Sequence, residues 1–168
     1  MAPIKFRLQI VFLISMLLVL VAVSAVLVIV PAIRADDKQS SDPWTSAQTV
    51  QAAKLAHEMV DKSVTPAMPV YVGFHTLFAG GHIPGATFHG SASNEQGLAE
   101  LKKWADGLPR TANLVIYCGC CPFEKCPNIR PAFTALSGMG FKNLRVLILP
   151  TSFVKDWAEK DFPIQKGI

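Results

Sequence analysis

The stretch Leu114-Val115-Ile116-Tyr117-Cys118-Gly119-Cys120-Cys121-Pro122-Phe123-Glu124-Lys125-Cys126-Pro127-Asn128-Ile129-Arg130 holds all 4 cysteines of the chain. Leu114–Tyr117 is apolar and partly β-branched, without polar alternation. That pattern belongs to a strand covered on both faces, as in parallel sheets. Ile129 to Ser137 reads as a helix, and Gly138 to Gly140 stops it. The cysteines therefore occupy a loop from the carboxyl end of a strand to the start of a helix. Ligands and chemistry collect at such strand ends in α/β folds, and helix N-termini favour a thiolate.

Toward the C-terminus, Leu144–Leu149 is a second buried strand. Pro150-Thr151-Ser152 opens a last helix, Phe153–Glu159, before a Phe162-Pro163-Ile164 tail. Toward the N-terminus, Ser93 caps a helix carrying Leu98, Leu101, Trp104 and Leu108, and Pro109-Arg110 ends it. Val70–Phe74 is a strand, and Val50–Val60 has helical spacing of Val50, Leu55, Met59 and Val60. The alternation of helix and strand predicts an α/β domain with a mostly parallel sheet.

The N-terminal part is of another kind. Between Arg7 and Arg34 no charged residue occurs, and the run 8–33 is almost wholly apolar. Crossing a bilayer core takes roughly 20 such residues, whereas a signal-peptide core is about 7–15 long. The run reads as a transmembrane anchor, with a cleaved signal peptide as the competitor. Lys5 and Arg7 keep residues 1–7 in the cytoplasm by the positive-inside bias. Residues 34–43 are a polar tether, and 44–168 form an extracytoplasmic (periplasmic) domain, secreted if the segment is cleaved.

Of 16 Lys and Arg, three (Lys5, Arg7, Arg34) flank the apolar run, leaving 13 against 12 Asp and Glu. A nearly neutral remainder excludes nucleic acid as the natural partner, because phosphate binding needs clustered cations.

Four ordered segments resemble rhodanese-like domains. Gly81-His82-Ile83-Pro84-Gly85-Ala86 is similar to the signature turn of that family. Val115-Ile116-Tyr117-Cys118 stands where the family has its catalytic cysteine. Gly140-Phe141-Lys142-Asn143-Leu144-Arg145-Val146-Leu147 and Phe153-Val154-Lys155-Asp156-Trp157, with Phe162-Pro163-Ile164, resemble its later strand and closing segment. The resemblance runs from Trp44 to Gly167. It implies a three-layer domain and a sulfurtransferase of the thiosulfate or persulfide type. In that activity Cys118 takes a sulfane sulfur from a small donor and passes it to a thiol acceptor. Loop amides, including that of Gly119, and Arg130 would stabilise the anion. Arg130 lies further from the cysteine than in the family's usual loop, and the aspartate and arginine that commonly precede the signature turn are absent at Gly73-Phe74-His75.

The other cysteines leave alternatives open. Cys120, Cys121 and Cys126 can relay or resolve a persulfide, Cys126 foremost. Bridges within so short a segment restrain little chain entropy, so a purely structural disulfide explains the clustering poorly. No cofactor is required for sulfur transfer, but Cys118, Cys120, Cys121 and Cys126 could instead ligate Cu(I) or zinc. A thiol–disulfide redox module and an inactive docking domain are further readings. No cysteine has arginine six positions later, so a C-x5-R phosphatase loop is absent. His82 reads as structural, as do His57, His75 and His89 by default, and Trp104 and Trp157 as core.

Overall fold

The structure, a computed structural model, describes residues 42–167. The anchor expected over 8–33 and most of the tether lie outside them. Among the described residues no helix is long and apolar enough to cross a membrane.

Five strands form one sheet: β1 (Thr49–Gln51), β2 (Met68–Tyr71), β3 (Thr87–Phe88), β4 (Asn113–Tyr117) and β5 (Asn143–Ile148), ordered β1-β5-β4-β2-β3. Every pairing is parallel, with Val70 and Val146 both beside Ile116. β4 is central, and its last four residues are fully buried, which explains their unbroken apolar run.

Alternation along the strands sorts two cores. Leu114 and Ile116 join Val70, Val72, Leu144 and Val146 beneath α3 (Glu95–Asp106) and α4 (Ile129–Gly138), through Leu101, Ala105, Ala132, Phe133 and Leu136. Val115 and Tyr117 face the other way, with Tyr71, Leu147 and Leu149. There they meet Leu55 of α1 (Ala52–Val60), Phe78 of α2 (His75–Gly80) and Trp157 just beyond α5 (Phe153–Asp156). The result is helix, sheet, helix: three layers. Trp157 is fully buried, and its Nε1 donates to Pro163 O at 2.8 Å, the partner a buried indole requires.

The elements differ from the sequence reading in several places, among them β2, which ends at Tyr71 rather than Phe74, and β3, which the sequence reading does not contain. Val50 belongs to β1, paired with Leu147, and α1 starts only at Ala52. A three-residue edge strand is too short to show alternation, so the helical pattern absorbed it. α2 is only six residues long, below the length at which periodicity registers. The cap of α3 is Asn94, whose Oδ1 accepts from Gly97 N at 2.9 Å. The last helix ends at Asp156, and a 3-10 turn over Ala158–Lys160 follows it.

Candidate functional site

Cys118 is the first residue beyond β4, on the side of Leu114 and Ile116. Gly119 then takes φ +74, and its carbonyl accepts from Phe153 N at 3.0 Å. A Cβ there would lie 2.7 Å from Phe153 N, so both backbone sign and space demand glycine. Further on, Phe123 N donates to Pro150 O at 3.3 Å, and a 3-10 turn spans Phe123–Lys125. The loop is thus held down on the β5–α5 connection while its far end, Cys126 to Asn128, enters α4. This fold-back brings the cysteines together.

All four are free thiols, and Cys118 and Cys126 are buried. The Sγ atoms of Cys118 and Cys120 are 3.0 Å apart, and those of Cys120 and Cys121 3.5 Å. The sulfurs of Cys118, Cys120 and Cys126 all lie within 4.8 Å of one another.

Their acidities diverge. Cys126 is lowered to about 5, first because the Cys118 thiol donates to it and also because the amides of Asn128 and Ile129 point at its sulfur, against the cost of burial. Cys118 is raised, first because it donates to Cys126 and then by burial, while the Cys120 amide opposes the shift. Cys121 is pushed up to about 12, by burial and then the Cys120 thiol. One thiolate is therefore favoured, on Cys126, with its neighbours as donors. The sequence reading assigned the helix N-terminus to Cys118. The amides of α4 face Cys126 because the loop is long enough to carry a different cysteine to that end.

Asn128, absent from the sequence-derived site, is fully buried. Its Oδ1 accepts from Ser93 N and Ser91 Oγ, each at 2.9 Å. That orientation turns Nδ2 toward the Sγ atoms of Cys118 at 3.6 Å and Cys120 at 3.9 Å. A polar residue just before a helix reads locally as a cap, and nothing in the sequence links it to Ser91.

A cleft of about 270 Å³ opens at the carboxyl end of the sheet. Tyr71, Leu77, Phe153, Val154 and Ile164 make it mainly apolar, and among the described residues Lys166 is the one cation lining it. Of the cysteines only Cys118 lines it, together with Gly119. Gly73 keeps this corner open: a Cβ would stand 2.5 Å from the Tyr71 hydroxyl and 2.8 Å from Cys118 Sγ.

Arg130 does not line the cleft. Its Nη2 lies 2.6 Å from Asp42 Oδ1 and its Nε donates to the same oxygen at 2.7 Å, with the guanidinium 5.7 Å from the Trp44 ring. The residue expected to bind the anion is thus engaged with Asp42, at the N-terminal edge of the same compact unit. His82 is buried, bonded to Phe78 O at 2.8 Å through Nδ1 and stacked on the Phe78 ring, a structural placement. His89 stacks on Trp104, and His75 packs beside Phe88.

No family model matches the chain, and no curated protein matches it. Among solved structures it is similar to the rhodanese-like domain of an Anabaena protein, at 18% identity over 72% of this chain and 80% of that one, with a TM-score of 0.52. A Bacillus halodurans protein aligns at 17% identity over 70% of this chain and 76% of its own, with a TM-score of 0.54. A Lactobacillus plantarum protein aligns at 12% identity over 71% and 88%, with a TM-score of 0.52. The fold is rhodanese-like.

Proposed function

From this rhodanese-like fold we propose that the domain handles sulfane sulfur, with Cys118 carrying it as a persulfide. One observation supports the reading above others: Cys118 alone among the cysteines lines the cleft, with the sulfurs of Cys120 and Cys126 within 4.8 Å of its own. As Cys118 attacks the outer sulfur of a donor, its proton passes to the Cys126 thiolate. The donor's sulfur–sulfur bond breaks, and the leaving group departs with the electron pair, as sulfite from thiosulfate or a thiolate from an organic persulfide. The Cys120 amide and Asn128 Nδ2 stabilise the anion at the Cys118 position. Lys166 attracts a negatively charged donor, and the apolar wall suits an organic one.

Two fates balance for the persulfide. An acceptor thiolate can take the outer sulfur and restore the Cys118 thiolate. Alternatively, Cys126, once deprotonated, attacks Sγ of Cys118, which closes a Cys118–Cys126 disulfide and expels hydrosulfide. That route reduces the sulfane sulfur and oxidises both cysteines, so an external dithiol must reduce the bridge before the next turnover. An anchor over 8–33 would hold this chemistry at the outer face of the membrane.

The test is mass spectrometry of the full chain after exposure to thiosulfate or an organic persulfide. The wild type gains the mass of one sulfur atom, Cys118→Ser gains none, and Cys126→Ser gains it more slowly. Sulfur retained by Cys118→Ser would sink the assignment.

A further inference from the structure

The long cysteine loop does more than place one nucleophile at a cleft, since sulfur transfer needs at most two of its thiols. We propose that Cys118, Cys120 and Cys126 form a three-coordinate thiolate site for a soft monovalent cation, Cu(I).

Geometry comes first. Three metal–thiolate bonds of about 2.3 Å at 120° place the sulfurs about 4.0 Å apart. The three Sγ atoms already lie within 4.8 Å of one another, on one loop and without a bridge between them. The Cys118–Cys120 separation of 3.0 Å must open by about 1 Å on loading. Cys120 can yield, because it is only half-buried beside the buried Cys118 and Cys126.

The donor set then selects the ion. No histidine or carboxylate joins this group among the described residues, and thiolates select soft ions. Zinc in structural sites takes four ligands. Cys121 is the obvious fourth, but its sulfur is outside the converging trio. Three sulfurs in a largely buried pocket suit an ion satisfied by low coordination.

The surroundings supply what buried thiolates need. The amides of Asn128 and Ile129 face Cys126, and Asn128 Nδ2 faces Cys118 and Cys120. Donors of this kind orient the ligands and spread their charge. Ser91 and Ser93 fix the carboxamide that provides them.

Binding is measured on the reduced full chain in detergent, by titrating Cu(I) against a chromogenic Cu(I) chelator. One ion per chain binds in the wild type. Cys118→Ser, Cys120→Ser and Cys126→Ser each weaken it by at least about 100-fold, Asn128→Ala by about 10-fold, and Cys121→Ser by no more than about threefold. X-ray absorption of the loaded wild type counts three sulfurs around copper and no oxygen or nitrogen, and this readout does not depend on any variant folding. Failure of Cu(I) to bind stoichiometrically would overturn the site, as would a two- or four-sulfur shell. Equal loss in Cys121→Ser, or tighter binding of zinc than of copper, would also overturn it. None of these outcomes bears on whether Cys118 accepts sulfur in the metal-free chain.

Discussion

Cys118 and Cys126 enter one thiol cluster from opposite ends of the same loop, their sulfurs within 4.8 Å of each other. The strand end gives Cys118 access to the cleft. The helix end gives Cys126 the amides that hold a thiolate. Access to the cleft and acidity are therefore divided between two residues of one cluster.

Thiolate ultraviolet absorbance should persist well below neutrality and disappear as pH falls through about 5, since Cys126 is lowered from 9.0 to about 5. Cys126→Ser should remove that step. The sign for stability follows from the same shift. A depressed folded pKa contributes stability that is complete above the unfolded value near 9 and lost progressively as pH falls to about 5. Cys118, raised in the fold, contributes below its ordinary 9.0 and loses that contribution as pH climbs beyond it. Denaturant midpoints measured from pH 5 to 9 should rise in the wild type and flatten in Cys126→Ser.

Asn128→Ala should destabilise the domain by about 1–3 kcal/mol, because it leaves the Ser93 amide and Ser91 hydroxyl without their buried acceptor. Urea unfolding measures this. The same variant should slow persulfide formation on Cys118, whereas a merely structural role would leave the loading rate of the folded protein unchanged.

Arg130→Gln should alter sulfur loading by less than about twofold and stability by less than about 1 kcal/mol, as befits a partly exposed ion pair. Stopped loading assays at several thiosulfate concentrations decide the matter. A loss greater than about tenfold that excess thiosulfate overcomes would return Arg130 to the anion site.

Gly119→Ala should cost about 1–2 kcal/mol for the left-handed backbone alone, and more for the clash with Phe153 N. Thermal unfolding reads the total. Because the displaced loop carries Cys120 away from Cys118, loading should fall even in the fraction that folds.

Much of this architecture is legible in the residues themselves. Leu114–Tyr117 and Leu144–Leu149 read as buried strands because both faces of each are covered, so hydrophobicity is continuous. α3 and α4 read as helices because each lays one apolar stripe on the sheet. β1, β3 and α2 were not legible, since two, three or six residues cannot establish a period. β1 exists because β5 offers its open edge to Thr49–Gln51.

The site divides along the same line. Sequence alone determined that four thiols lie between a strand end and a helix start, and that Cys118 stands at the strand end. Only the tertiary structure decided which thiol is acidic, because that depends on which sulfur the first amides of α4 meet after the loop folds back. It also decided that Arg130 pairs with Asp42, 88 positions away, and that Ser91 and Ser93 aim Asn128 at the cysteines. These are contacts between segments distant in the chain, and hydrogen bonds between such segments leave no local pattern for a sequence to display.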